Sequence, residues 1–222
     1  MTNDLPVLLL LSLAWLLYFG LHSLLASHAS KDWVARRWPR LRPGYRLGYN
    51  LLALVLLAGP VGLFLLYEGP LLWRWSGGWA WLANGLALLA LLGFLHSSRA
   101  YDSLDFLGLR QWREGRTRPG AFQLSVWHRF VRHPWYSFGL VILWTRDMNA
   151  AGLVSALWIT AYLVVGSRLE ERKLLGELGE VYARYRARVP GLVPRPWRHL
   201  SREQARQLQE MAGISDVHPT GR

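Results

Sequence analysis

Long apolar stretches separated by short basic ones set the pattern of this chain. Leu5–Leu25, Leu47–Tyr67 and Trp79–His96 each approach the ~20 apolar residues that a helix needs to cross a bilayer. Trp135–Thr145 is shorter, roughly 16 Å of helix at the usual rise per residue, and Ala150–Gly166 is of marginal length. Only Arg146-Asp147-Met148-Asn149 separates these two, so they are expected as a tight helical hairpin, tilted or not fully spanning. The fold predicted is all-α, a polytopic membrane bundle of about five transmembrane helices with the last two as a helical hairpin. Nothing basic precedes the first stretch, where only Asp4 is charged, so it reads as a retained span rather than a signal peptide. One membrane domain is expected over residues 1–197. Past Pro196 the pattern changes: Ser201-Arg202-Glu203-Gln204 has the form of a capping box. It would open a short amphipathic helix to about Met211 in a tail over 198–222, ending in disorder at Pro219–Arg222.

Charge orients the spans. The loop after the first carries Lys31, Arg36, Arg37, Arg40, Arg42 and Arg46; Arg99, Arg110, Arg113, Arg116, Arg118, Arg129 and Arg132 lie between the third and fourth; eleven basic residues follow from Arg168. The opposite side has Arg74 and Arg146 only. The positive-inside rule therefore places the basic loops and the C-terminus in the cytoplasm and the N-terminus outside. Tryptophans agree, with Trp73, Trp75, Trp79 and Trp81 at one interface and Trp33, Trp38, Trp127, Trp135 and Trp197 at the other, as aromatic belts do. The net charge of +12 is thus a matter of topology and attraction to anionic membrane lipid, and nucleic acid is not the expected partner. The absence of cysteine removes disulfides, thiolate metal sites and a cysteine nucleophile.

Ionisable groups gather at the cytoplasmic helix ends, where membrane proteins keep them for function. His22 lies at the inner end of the first span, and His96 with Arg99 at that of the third. Asp102 and Asp105 follow, Arg132-His133-Pro134 opens the fourth span, and Arg168-Leu169-Glu170-Glu171-Arg172 closes the fifth. A hairpin would bring those last two clusters together, joining cations that hold a carboxylate to carboxylates that hold hydroxyls or an amine. Each piece also has an ordinary reading: Pro134 as a helix N1 residue, Arg132 as a topology anchor, Glu170 and Glu171 as a solvated helix end. His22 and His28, or His128 and His133, lack the i, i+3 or i, i+4 spacing of a helical metal site, and no metal site is expected.

Arg132-His133-Pro134-Trp135-Tyr136, the short hairpin, Leu169-Glu170-Glu171-Arg172-Lys173-Leu174, Tyr182-Ala183-Arg184-Tyr185 and Val189-Pro190-Gly191-Leu192-Val193-Pro194 resemble the isoprenylcysteine carboxyl methyltransferase and phospholipid methyltransferase superfamily. The resemblance covers roughly Trp127–Trp197. Leu21-His22-Ser23-Leu24-Leu25-Ala26-Ser27 and Phe106-Leu107-Gly108-Leu109-Arg110-Gln111 look like its bacterial branch, which includes methanethiol S-methyltransferases and denitrification-associated membrane proteins. The resemblance implies an inner-membrane enzyme using S-adenosylmethionine. It implies that His133 and Arg132 hold the cofactor carboxylate, with Tyr136 alongside. Glu170 and Glu171 would meet the amine or ribose hydroxyls, and Tyr182 and Tyr185 would close over the cofactor. His22, His96 and the Tyr101–Gln111 region, with Asp102, Asp105 and Arg110, would face the acceptor. One departure stands out: Phe138 occupies the place where the family has glycine, with Gly139 following.

The function expected is therefore methyl transfer at the cytoplasmic face to a small lipophilic or lipid-like acceptor: a thiol, carboxylate or amine. Such a displacement gains mainly from alignment, which supplies ~7–11 kcal/mol. Glu171, Arg132 and His128 are placed at the reaction centre, and His128, Asp102, Asp105 and Glu171 remain open as the base. Two other readings stay open: an NADPH-dependent membrane reductase, and a non-enzymatic membrane protein of nitrogen-oxide metabolism binding haem through His22 and His96.

Overall fold

A run of leucines with proline at its start makes a helix that is apolar all round, and such a helix belongs in a bilayer. The computed structural model describes residues 4–67, 69–99, 101–116, 122 and 124–217, the side chains at 214–217 excepted. The chain is an all-α polytopic membrane bundle. Four of its helices are long and apolar enough to cross a membrane: α1 (Leu5–Ala26), α3 (Tyr45–Leu66), α4 (Gly77–Ser98) and α8 (Ala150–Leu178). α2 (His28–Arg37), α5 (Ser103–Leu107) and α6 (Leu109–Glu114) are short and polar. α7 (Pro134–Trp144) has 11 residues and falls short of a crossing. α9 (Glu180–Arg188) and α10 (Arg202–Val217) complete the described helices. Arg118 and the expectation of disorder at Pro219–Arg222 lie outside the described residues.

Two units are distinguishable. The first contains α1 to α3, α5, α6 and the start of α8 as far as Ile159. Its core joins α1 to α8: Trp15 stacks on Phe19 with ring centroids 5.2 Å apart and donates from Nε1 to Ser155 Oγ at 2.9 Å, and Ala151 is buried beside them. α1 packs on α3, where the Tyr45 hydroxyl donates to the Leu25 carbonyl at 2.7 Å. A small antiparallel pair, β1 (Leu71–Trp73) with β2 (Met148–Asn149), lies in the same unit. The sequence gives no sign of it. The four polar residues before α8 are therefore partly a strand rather than a bare hairpin turn. Gly108, at φ +86°, separates α5 from α6, and a Cβ there would stand 2.6 Å from the Leu47 nitrogen, so only glycine fits.

The second unit contains α4, α7, α9, α10 and α8 from Thr160 onward. α4 packs along α7, where Phe138 fills the notch left by Gly93; a Cβ on Gly93 would approach its ring to 2.6 Å. α7 and α8 form the expected hairpin. His133 meets Glu170 and Glu171, while Trp144 Nε1 donates to Thr160 Oγ1 at 3.0 Å. Those two pairs step in opposite senses, so the helices run antiparallel. α8 is 29 residues long and continues past the apolar limit at Gly166, because hydropathy marks where lipid ends and not where a helix does. The Ser201 and Gln204 side chains each bond the other's backbone N–H, at 3.1 and 3.0 Å, which caps α10. α10 then packs on α9 through Leu200, Ala205, Leu208 and Ala212.

Candidate functional site

Pro134 has no N–H to leave unsatisfied and its ring fixes φ, so α7 starts there. The two residues before it retain free backbone donors, and a later segment accepts from both: Arg132 N–H donates to the Pro190 carbonyl at 2.9 Å and His133 N–H to Gly191 at 3.2 Å. Ser137 Oγ adds a bond to the Leu192 carbonyl at 2.6 Å. Two motifs distant in sequence are thereby laid side by side.

Glu171 sits where these segments meet α8. Its Oε1 accepts from Arg132 Nε at 2.9 Å, Arg132 Nη2 at 2.6 Å and His133 Nε2 at 3.1 Å. Arg186 Nε stands 3.7 Å from Oε2. Arg132 also donates from Nη1 to the carbonyls of Arg186, at 3.2 Å, and Val189. The Arg132 and Glu171 side chains are only 11% and 10% exposed, so each largely neutralises the other away from water. A buried pair of this kind contributes little net stability intact, but losing one partner strands the other. Glu170, the next residue, is half exposed and reaches His133 Nδ1 at 3.4 Å. Tyr136 stacks on His133 at 5.4 Å with 7° between planes, its hydroxyl 3.5 Å from Glu170 Oε2.

Beside this knot lies a cavity of about 520 Å³, within the range of small-molecule sites. Val164, Ser167, Arg168, Glu171 and Arg172 line it, and their spacing of three, one, three and one residues is one face of α8. Arg132, Arg186 and Arg195 line it too. Five arginines thus surround one carboxylate that already holds Arg132, and the cavity is cationic.

Other expected site residues lie elsewhere in the same unit. His128 is buried; its Nδ1 accepts from Ser125 N–H at 3.2 Å and pairs with Ser125 Oγ at 2.8 Å. Burial, with the nearby His133, pushes its pKa down to about 4, so it is neutral at ordinary pH. Tyr182 and Tyr185 do not close over the cavity: both are within the core formed with Val189, Leu200 and Leu208, and the Tyr185 hydroxyl donates to the His128 carbonyl at 2.7 Å. Burial, reinforced by the charge of Glu171, raises the Tyr182 pKa and keeps that phenol protonated. His96 accepts at Nδ1 from Trp127 Nε1 at 3.0 Å, and Trp127 packs edge-on against Phe138 at 5.1 Å. The departure at Phe138 is therefore taken up by Gly93 of α4.

His22, Asp102, Asp105 and Arg110 belong to the first unit. His22 Nε2 pairs with the Tyr49 hydroxyl at 2.7 Å. Asp102 caps α5 through the N–H groups of Leu104 and Asp105 and bonds Arg110; the Asp105 N–H foremost, with Arg110, holds its pKa low. Asp105 accepts from Gln111 at 2.9 Å and faces Arg46 at 3.6 Å. Arg186 and Arg195 were not singled out by the sequence. Both sit beside quoted motifs, but only the fold shows what they line.

No protein-family model matches the chain, and no solved structure does. Curated proteins do. It is 36% identical over 183 residues to Methanethiol S-methyltransferase 2 of Bradyrhizobium diazoefficiens, covering 78% of this chain and 68% of that one. It is 35% identical over 196 residues to Methanethiol S-methyltransferase of Mycobacterium tuberculosis, covering 80% and 74%. The protein of that name from Crocosphaera subtropica is 31% identical over 209 residues, covering 86% and 77%. The likeness runs through both units, and with the helical membrane architecture it shows that the chain is a membrane methyltransferase belonging to the methanethiol S-methyltransferase family.

Proposed function

We propose that this methyltransferase takes its methyl group from S-adenosylmethionine and passes it to a small thiol of the methanethiol kind, at the cytoplasmic face of a bacterial inner membrane. The observation that carries the cofactor assignment is the cationic cavity beside Glu171 and His133. Its size suits a nucleoside-bearing ligand. Its arginines suit a carboxylate, which guanidinium groups hold with paired hydrogen bonds. Arg168, Arg172 and Arg186 take that role, because Arg132 is already engaged by Glu171. Glu170, half exposed beside His133 and Tyr136, is assigned the cofactor amine or a ribose hydroxyl on the resemblance. Arg132, His133 and Glu171 act as positioning residues that fix α8 against the start of α7.

The bound cofactor supplies an electrophilic methyl on a sulfonium. Transfer to a thiol would need its thiolate form, with the thiol proton released to solvent and the uncharged thioether of the spent cofactor as leaving group. Excess positive charge lowers the pKa of a nearby thiol, so the arginine lining does part of the work of a base. His128 suits that role poorly, since its Nδ1 accepts from the Ser125 N–H. The acceptor assignment rests on the likeness to methanethiol S-methyltransferases, which favours methyl transfer over reduction or haem binding.

The test is equilibrium binding of S-adenosylmethionine, paired with headspace detection of dimethyl sulfide from methanethiol. His133→Ala and Glu171→Gln should each weaken cofactor binding by about tenfold or more. Unchanged affinity in both folded variants would overturn the cofactor assignment. Cofactor binding without dimethyl sulfide would overturn the acceptor.

A further inference from the structure

The first unit holds cavities of its own. Two cavities adjoin at the junction of the α1 C-terminus, α2 and the start of α3. One, of about 560 Å³, is walled by Val34, Trp38, Leu41, Leu52 and Trp112. The other, of about 430 Å³, is lined by His28, Lys31, Asp32, Arg42 and Arg46. Pro43, Tyr45 and Tyr49 line both, so an apolar cavity and a cationic one share an edge.

The shared edge is held in place. Tyr45 donates to the Leu25 carbonyl at 2.7 Å and Tyr49 pairs with His22 at 2.7 Å, tying the wall to α1. Arg40 lines the apolar chamber at its polar edge. Neither Arg40 nor Arg42 makes an ion pair with a described residue, whereas Arg46 faces Asp105 at 3.6 Å. Asp32 is the one acid that lines the cationic chamber among the described residues. α2 buries none of its residues and carries Trp33, Arg36 and Arg37 on its exposed surface. Such a basic, tryptophan-bearing helix lies in a membrane interface.

We propose that the paired chambers bind one anionic phospholipid, its acyl chain in the Trp38–Trp112 chamber and its phosphate against Arg40, Arg42 and Lys31. Three observations converge on that ligand. The apolar and cationic chambers adjoin, as the two ends of an acidic amphiphile require. The site lies at the ends of α1 and α3, two helices of membrane-crossing length, which sets it at headgroup depth. Arginines without carboxylate partners beside an apolar hole match an anionic head, for which each basic group near the surface adds to the attraction.

Gly48 supplies a direct probe. It lines the apolar chamber, yet a Cβ there would meet nothing within 4 Å. It lies inside α3, so Gly48→Leu directs a side chain into the cavity from an unobstructed Cβ and brings a better helix former. The full chain, purified in neutral detergent, is titrated with short-chain phosphatidylglycerol, short-chain phosphatidylcholine, inorganic phosphate and methanethiol, with thermal stability and tryptophan emission as readouts. Saturable protection by phosphatidylglycerol is expected, about tenfold or more tighter than by phosphatidylcholine. Arg40→Gln with Arg42→Gln should remove that preference, and Gly48→Leu should weaken both lipids. S-Adenosylmethionine binding, measured in parallel, should be the same in all variants, so failure here is separate from failure of the proposed function. Equal protection by the two lipids, protection by inorganic phosphate matching that by phosphatidylglycerol, displacement of lipid by methanethiol, or wild-type lipid binding in both variants would each overturn the proposal.

Discussion

Arg132 of the second unit and Arg40 and Arg42 of the first are used in opposite ways. In the second, Arg132 is buried and consumed: Glu171 and two carbonyls take its donors, and it cannot serve a ligand without breaking the fold. In the first, Arg40 and Arg42 stand exposed without ion-pair partners among the described residues, beside an apolar chamber. A charge already satisfied by its own chain positions other groups, whereas one left at a rim selects what binds. The cationic cavity of the second unit combines the two, since Arg168, Arg172 and Arg186 surround a knot that Arg132 and Glu171 close.

The sharpest way to break that contrast is to remove one partner of the buried pair. Glu171→Ala strands Arg132 and His133 and should cost about 3–5 kcal/mol, read as a lowered Tm in detergent. The same substitution at Glu177, whose pairing with Lys173 is exposed at 3.6 Å, should cost roughly 0–1 kcal/mol. Similar losses at the two sites would deny that burial distinguishes them.

The second prediction concerns His128. Its pKa in the fold is about 4 against an ordinary 6.5, so as pH falls the unfolded chain takes up the proton first. Stability should be full above pH 6.5 and decline between there and about pH 4, by on the order of 3 kcal/mol. Denaturation followed over that window should lose this slope in His128→Gln. An unchanged slope in the variant would assign the decline to other groups.

A smaller effect is expected at Gly93. Alanine there would drive a Cβ to 2.6 Å from the Phe138 ring, and overpacking of that kind costs about 1–3 kcal/mol. Phe138→Ala in the same chain should recover part of the loss. Additive losses in the double variant would mean that the two residues do not share one notch.

Hydropathy alone places α1, α3 and α4 within about two residues at each end, because apolar length is what a bilayer demands. The α10 cap was equally legible, since Ser201 and Gln204 are neighbours in sequence and need no distant partner. Other features were hidden for physical reasons. The end of α8 lies beyond its apolar stretch, where amphipathic sequence continues the helix in water. The β1–β2 pair joins residues 71–73 to 148–149, and nothing local encodes such a match. At the site, residue types and motifs pointed to Arg132, His133, Glu170 and Glu171, which the fold does bring together. What could not be read was that Arg132 and Glu171 engage each other, or that Tyr182 and Tyr185 are core. Sequence shows which donors and acceptors exist, and only packing shows which of them are spent. Phe138 is the same lesson reversed, since its partner Gly93 lies on another helix.

The central claim is that arginines on one face of α8 hold the carboxylate end of S-adenosylmethionine. Calorimetric binding of S-adenosylmethionine and its decarboxylated analogue tests it, using the wild type and a chain with Arg168→Gln and Arg172→Gln. Both arginines are exposed, so the variant should fold. The wild type should prefer the carboxylate-bearing form by about tenfold or more, and the variant should lose that preference while binding the analogue as before. Equal affinity of the wild type for both forms would contradict the claim.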